Sequence, residues 1–173
     1  QGPLGIHDHV VIATHADQAL AMLAEPTAGE YTLLSQFRYA DNHVVLHKDA
    51  ALMPRTRKLW SSWNYLAAGN GEPQGVTYWM NALQPLATGT NYFVSLNAKA
   101  QPDESKIVKR MSYRHPVFNA ATLQAQKDLW VLQGPQRTWF CAAYFGAGFH
   151  EDGLQAGLAV AEQLGGMPRP WQV

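Results

Sequence analysis

The stretch from Thr138 to Ala161 constrains the fold more than any other part of the chain. It begins with a short apolar run, Trp139–Ala143, which is long enough for a buried strand and too short for a typical helix. Gly146 and Gly148 follow and predict a turn, because glycine adopts backbone conformations that are closed to other residues. The sequence therefore predicts a strand, a glycine turn and a helix in immediate succession.

The predicted helix has a face of small residues. We expect the helix to begin with Asp152 as its N-cap and Gln155 in the capping-box position, and to end before Gly165. Glycine costs about 1 kcal/mol relative to alanine in a helix, so two glycines on one face indicate close approach by another group. Two interpretations remain open: tight packing on a sheet, or a ligand at the helix N-terminus, where free N–H groups favour an anionic or electron-rich molecule. The small face consists of Gly153, Ala156, Gly157 and Val160.

Composition limits the class of partner. The chain has 173 residues, of which 47% are hydrophobic, enough for one good-sized core. Its formal net charge is zero, which argues against nucleic acid as the main partner because nucleic acid requires a basic surface. No apolar run is long enough to span a bilayer. The single cysteine, Cys141, excludes an internal disulfide and favours a cytoplasmic location.

The two ends of the chain have the pattern of a helix-covered parallel sheet. The β-branched run His9–Thr14 predicts a strand buried on both faces. Helices are predicted at His15–Leu23 and at Thr27–Gln36, where Thr27 and Glu30 form a capping box.

The middle of the chain has the pattern of a separate sheet built from consecutive strands. A further helix, with Asn119 as its cap, follows that sheet and runs to Leu132. The linker-like stretches 67–74 and 98–104, and the turn Gly69–Gly71, are expected on the surface. The whole pattern indicates an α+β or α/β fold with a mixed, mostly antiparallel sheet. The strands are predicted at 42–47, 58–66, 75–80, 91–97 and, less regularly, 106–114.

No residue pattern identifies a metal site or a nucleophile. Among the 7 histidines, His43 and His47 are four residues apart but lie on a predicted strand, so no His-x-x-x-His pair falls on a helix. No Cys/His cluster occurs either, and we expect structural roles for most of the histidines. Cys141 lies in an apolar run, where thiols are usually inert. His150-Glu151-Asp152 brings titratable groups to the predicted helix start, where capping and a position beside a cofactor are both open interpretations.

Two segments together resemble the C-terminal half of flavin-containing amine-oxidase-like proteins, and more narrowly the bacterial NAD/FAD-binding oxidoreductases of that superfamily. Asp8–Asp17 is similar to the strand that ends the middle part of the FAD domain, and Trp139–Ala161 is similar to the closing strand, glycine turn and helix. Leu59–Tyr65 and Val76–Asn81 also resemble the narrower group. The resemblance covers nearly the whole chain.

The resemblance implies an FAD site at the closing helix. In that family the helix N-terminus points at the flavin, so Gly153 and Leu154 would offer backbone amides and Phe149 would face the ring on the substrate side. The flavin accepts a hydride equivalent from a small apolar or amine-like substrate. The catalytic residues are not indicated, and no metal is implied. The residues implied as cofactor-binding are Tyr144, Gly148, Phe149, His150, Asp152, Gly153, Leu154 and Gly157.

The sequence also departs from the family pattern. Ala142-Ala143 stand where relatives have Gly-Glu, and His43 stands where many amine oxidases have a lysine, so desaturation is as consistent with the sequence as amine oxidation. The glycine-rich dinucleotide fingerprint is absent. We therefore expect a C-terminal fragment of an FAD-dependent oxidoreductase. Alone it should be inactive and bind FAD weakly or not at all, because it needs the remainder of the FAD domain, and its exposed flavin-facing surface should favour self-association. Its expected segments are 1–36 (late FAD domain with connecting helices), 37–132 (substrate-domain sheet with a helix) and 133–173 (closing FAD-domain strand, turn and helix).

An alternative of another class is a stand-alone module without redox activity. In one form it binds an apolar ligand on an aromatic-rich sheet, and in the other it is a structural piece that dimerises. Both remain open at this point, as does an ordinary core role for the aromatic residues. The side chains concerned are Trp60, Trp63, Tyr78, Trp79, Tyr92 and Phe93.

Overall fold

The computed structural model describes residues 5–67, 71 and 73–171, and it has an α+β fold. Gly69 and Asn70 of the predicted turn, and part of the loop predicted at 67–74, lie outside the described residues. The elements in chain order are β1 (Val10–Ile12), α1 (Ala16–Met22), α2 (Ala28–Leu34), β2 (Arg38–His47), β3 (Trp63–Ala67), β4 (Pro73–Trp79), α3 (Met80–Leu83), β5 (Phe93–Leu96), β6 (Ile107–Val117), α4 (Ala120–Asp128), β7 (Thr138–Phe140) and α5 (His150–Gln163).

The chain divides into two compact units. Unit 1 combines Gln1–Tyr39 with Pro116–Val173, and unit 2 is the intervening segment Ala40–His115. Helix α4 belongs to unit 1, whereas the sequence grouped it with the sheet in segment 37–132. The reason is packing, because its buried Ala125 lies in the same apolar cluster as Ile12 and Phe140.

Unit 1 is built around a parallel pair of strands. Strand β1 pairs with β7, with Val10 opposite Thr138 and Ile12 opposite Phe140. The prediction of a strand buried on both faces is wrong for β1: Val10 and Val11 are 48% and 44% exposed, and only Ile12 is buried. The two-stranded sheet has no further strand beside it among the described residues, so the outer edges of β1 and β7 have no strand partner there. The buried core beneath it includes Ile12, Leu34, Phe37, Leu129, Leu132, Phe140 and Tyr144.

The helix N-caps predicted at Thr27 and Asn119 are confirmed. Thr27 Oγ1 accepts from the N–H of Glu30 at 3.2 Å, and Glu30 Oε2 accepts from the N–H of Thr27 at 2.7 Å. Asn119 Oδ1 accepts from the N–H groups of Ala121 and Thr122 at 2.9 and 3.0 Å. Both patterns lie within four residues, which is why the sequence alone predicts them.

Unit 2 is organised on a five-stranded sheet in the order β3-β4-β5-β2-β6. The β3–β4, β4–β5 and β5–β2 pairs are antiparallel. The strand predicted at 58–66 is wrong in its first half, because Arg57–Leu59 forms a short 3₁₀ turn. Trp60 lies against the sheet instead of within it: its ring meets Trp79 and Phe93 edge-on at 5.4 and 5.5 Å.

The aromatic residues of unit 2 divide between the two faces of the sheet. Phe93 is opposite both His47 and Trp79, so these three side chains share one face, on which Trp60 packs. Trp63 is opposite Tyr78 and lies on the other face, where its ring meets Tyr78 edge-on at 5.4 Å. The aromatic set therefore does not form one continuous binding surface on the sheet.

A buried carboxylate, Asp49, joins two segments of unit 2. Its Oδ1 accepts from the N–H of Ala51 at 3.2 Å and from Lys106 Nζ at 3.0 Å, and its Oδ2 accepts from the N–H of Asp103 at 3.0 Å. These bonds, led by the one from Asp103, lower the pKa of the Asp49 carboxyl to about 2, and the same pairing raises the pKa of Lys106. Ionised Asp49 therefore holds the chain after β2 against the chain before β6.

Replacing Asp49 should make unfolding less sensitive to acid. The folded pKa is depressed below the usual value for aspartate, so the stabilisation is present above about pH 4 and is lost as the pH falls towards 2. Asp49→Asn should lower the free energy of unfolding at pH 7 by about 2 kcal/mol and remove most of this loss, as measured by urea unfolding at each pH. The exposed Asp128→Asn is the matched control, and an unchanged acid slope in Asp49→Asn would contradict the assignment.

Candidate functional site

The segment after β7 leads directly into α5 through a tight turn. Cys141 is buried, and burial raises the pKa of its thiol, which makes it a core residue and not a nucleophile. Gly148 has a φ of +95°, and a Cβ built there would lie 3.1 Å from the ring of Phe118. The turn therefore requires glycine at this position, both for backbone conformation and for space.

Helix α5 begins earlier than the sequence predicts. Its N-cap is Phe149 and its first residue is His150, so the prediction of Asp152 as N-cap is wrong. Asp152 occupies the third helical position, and its Oδ2 accepts from the N–H of Phe149 at 2.8 Å. This is the reciprocal half of a capping box. The difference arises because the Gly148 turn against Phe118, a tertiary contact, sets where the helix starts.

The side chain of the N-cap residue Phe149 makes no capping hydrogen bond to the first turn of α5. The N–H groups of His150, Glu151 and Asp152 precede the first intrahelical bond, in which the N–H of Gly153 donates to the carbonyl of Phe149 at 3.3 Å. The amide of Gly153, which the resemblance assigned to the cofactor, is thus engaged within the helix. The donors available at this end are the three amides that come before it.

The residues implied as cofactor-binding do not all lie on one surface. Phe149 and Leu154 are 66% and 55% exposed, and His150 is exposed beside Phe149. Tyr144 lies in the core, where its ring tilts against Phe37 at 5.1 Å and burial raises the pKa of its hydroxyl. The structure therefore brings the exposed members together at the start of α5 and directs Tyr144 away from it.

The two glycines on the small face of α5 have different surroundings. A Cβ built at Gly153 would meet the backbone N of Ala143 at 3.5 Å, so this glycine packs against the chain before the turn. A Cβ built at Gly157 would have nothing within 4 Å. Gly153 therefore lies in packing contact with the chain before the turn, but at a distance that a Cβ would tolerate, and nothing among the described residues requires glycine at position 157.

The electrostatics at the start of α5 distinguish between possible ligands. Glu151 and Asp152 place two carboxylates in the first turn. Asp152 is held by the N–H of Phe149, and Glu151 Oε1 accepts from Gln155 Nε2 at 2.5 Å. These charges offset the positive end of the helix dipole and would repel a phosphate. Neutral acceptor atoms at the edge of an aromatic ring remain compatible with the three amides.

A groove of about 390 Å³ runs along the same helix. Trp130 and Phe145 form an aromatic wall, with ring centroids 4.8 Å apart, and Ala156 and Ala159 of α5 also line the groove. Arg169, also in the wall, is held by Glu162 with two bonds of 2.9 Å. That pairing lowers the pKa of Glu162 to about 2 and raises the pKa of Arg169. The sequence gives no signal for this groove, because Trp130 and Arg169 are brought to it by folding.

Unit 2 contains a chain of buried polar side chains. His47 Nε2 lies 2.8 Å from Ser95 Oγ, and Ser95 Oγ lies 2.7 Å from Thr77 Oγ1. The backbone N–H of Asp49 donates to His47 Nδ1 at 3.2 Å. Burial lowers the pKa of His47, which is therefore neutral near pH 7.

The hydrogen-bonded side chains of His47 and Ser95 resemble part of a Ser-His-Asp triad, but the proton of His47 is on the wrong ring nitrogen for catalysis. Since His47 Nδ1 accepts a hydrogen bond, the proton of the neutral ring is on Nε2, and it points at Ser95. A general base at Nε2 needs a lone pair there. The arrangement therefore excludes activation of Ser95 by His47. Within the part of the chain that is described, no three metal-ligating side chains cluster.

Comparison with known proteins does not identify this chain. No protein-family model matches the sequence, and a search of curated proteins finds no match. In the described part of the chain, no helix is both long enough and apolar enough to span a bilayer. Any functional assignment therefore depends on the geometry of the two units.

Filling the empty space at Gly157 should stabilise the protein. Gly157→Ala adds a methyl group where nothing lies within 4 Å and replaces a poor helix former, so the free energy of unfolding should rise by about 0.5–1 kcal/mol. Gly148→Ala is the opposite case: strain at positive φ and the Phe118 ring should lower stability by at least about 1 kcal/mol. Thermal unfolding measures both, and destabilisation by Gly157→Ala would show that the position is packed.

Proposed function

We propose that this chain supplies the ring-binding part of an FAD site in a flavin-dependent oxidoreductase. The observation that carries the proposal is the exposed start of α5, where the amides of His150, Glu151 and Asp152 have no side-chain cap and Phe149 lies beside them. The composition of unit 1 supports the proposal. Its parallel strand pair and helices come from both ends of the sequence, and the segment that forms unit 2 lies between these ends in chain order.

The residues at this site fit the flavin ring better than the phosphates of FAD. Acceptor atoms at the pyrimidine edge of the neutral, oxidised ring can receive hydrogen bonds from the first-turn amides. The carboxylates of Glu151 and Asp152 disfavour a phosphate there. The resemblance assigns the pyrophosphate to a glycine-rich segment that this sequence lacks, so the proposal concerns the ring.

When bound, a flavin would supply hydride acceptance from a C–H bond of the substrate. The proposed substrate is a small apolar or amine-like molecule, and the proposed location is the cytoplasm. His43, at the position of the family lysine, is exposed and lines a groove within unit 2. Exposed Phe149 and Leu154 at the start of α5 would favour self-association when they are not covered.

A substitution at the first helical position tests the role of the amides. His150→Pro removes one N–H, and the helix should tolerate it because proline suits this position and Phe149, with ψ of 165°, has the backbone that a following proline requires. His150→Ala removes the imidazole and keeps the amide. Titration with riboflavin, followed by quenching of its fluorescence, should show about tenfold weaker binding for His150→Pro and nearly unchanged binding for His150→Ala.

Two results would contradict the proposal. Because this chain alone is expected to bind a flavin only weakly, the titration extends to the solubility limit of riboflavin. Absence of any specific binding by the unsubstituted protein over that range would contradict the presence of a flavin site. Equal affinity of folded His150→Pro and the unsubstituted protein would show that a flavin, if bound, does not use this amide. Circular dichroism of each variant verifies that α5 and the rest of the fold are retained.

A further inference from the structure

Strand β3 forms one edge of the five-stranded sheet of unit 2. Among the described residues it pairs with β4 alone, and the N–H of Trp79 donates to the carbonyl of Ser62 at 3.0 Å. Residues that bond to the partner strand alternate along an antiparallel ladder, so Asn64, opposite Thr77, also directs its backbone groups at β4. The N–H and C=O groups of the two residues between and after them therefore point away from the sheet.

Those two residues, Trp63 and Tyr65, make up the free part of the edge. Before them, the Asn64 side chain engages both backbone groups of Ser61: its Oδ1 accepts from the N–H at 3.0 Å, and its Nδ2 donates to the carbonyl at 2.7 Å. After them, the regular ladder ends at a register shift that follows Leu66. A strand that adds to β3 thus meets a short template that is closed on both sides.

The side chains at this edge are aromatic and exposed. Trp63 and Tyr65 lie on one face of the sheet, because side chains alternate along a strand, and they are 63% and 62% exposed. Natural edge strands are usually protected from pairing by charged residues or proline. Strand β3 contains neither, whereas the opposite edge strand, β6, contains three basic residues and a proline. Of the two edges, β3 is therefore the one suited to pairing with another strand.

We propose that two copies of this chain pair through β3, antiparallel and related by a two-fold axis at Asn64. In this register Trp63 lies opposite Tyr65 of the second copy, and the two residues exchange both of their free backbone hydrogen bonds. The register also places their exposed rings side by side as a favourable cross-strand pair. A two-fold axis brings identical surfaces together, and this edge is complementary to itself, so the occupant is a second copy.

The expected dimer is weak. A standard interface buries about 800 Å² of each partner, whereas this one consists of a short strand edge and two aromatic side chains from each copy. We therefore expect reversible association that depends on protein concentration. The interface lies within unit 2, so the proposal does not depend on flavin binding or on the exposed start of α5.

The first experiment measures amide hydrogen exchange of the unsubstituted, ¹⁵N-labelled protein at micromolar and at millimolar concentration. The amides of Trp63 and Tyr65 should exchange several-fold more slowly at the higher concentration, because they become hydrogen-bonded in the dimer. The amide of Asn64, which bonds to β4 in each copy, should change less. Exchange of Trp63 and Tyr65 that is independent of protein concentration would overturn the proposal.

The second experiment uses sedimentation to compare matched lysine substitutions on the two edge strands. Tyr65→Lys replaces an aromatic ring of the interface by a charged side chain and should weaken association at least about tenfold. Tyr113→Lys makes the same change at an exposed tyrosine of β6 and should leave association unchanged.

Two results of the sedimentation experiment would contradict the pairing through β3. One is an unsubstituted protein that stays monomeric up to millimolar concentration. The other is association that Tyr65→Lys leaves intact and that Leu154→Lys, at the start of α5, abolishes, because the interface would then lie on unit 1.

Discussion

Unit 1 depends on the parallel pairing of β1 with β7. Each strand has three residues, and together they join two segments that lie far apart in the chain. A parallel pair this short is weak by itself, so its stability must come from the side chains beneath it, where Ile12 and Phe140 are buried in one cluster. The pairing fixes the end of β7, and with it the glycine turn and the direction in which α5 begins.

The sequence predicts those structural features that depend on residues close to one another along the chain. The caps at Thr27 and Asn119 were predictable because each motif lies within a few residues. The start of α5 was not, since it is set by the contact of the Gly148 turn with Phe118. The segment around Trp60 has strand-like alternation, but its aromatic side chain covers the sheet, which is a tertiary outcome that periodicity does not reveal.

The two units offer different chemistry for recognition. Unit 1 presents backbone amides at the start of α5, where the carboxylates of the first turn disfavour phosphate. The sequence pointed to this helix start, but the resemblance assigned the amides of Gly153 and Leu154 instead of those of the first three helical residues. Unit 2 contains the buried polar side chains of His47, Ser95 and Thr77, which no pattern in the sequence identified. The reason is that these side chains meet only when β2, β4 and β5 pair.

We propose that the first turn of α5 meets the edge of a flavin ring. The most direct test is the change in backbone amide shifts of the ¹⁵N-labelled protein on titration with lumiflavin, which has the ring without ribityl or phosphate groups. We predict saturable changes that are largest at the amides of His150, Glu151 and Asp152. Absence of saturable changes, or changes confined to residues outside the first turn of α5, would contradict the assignment.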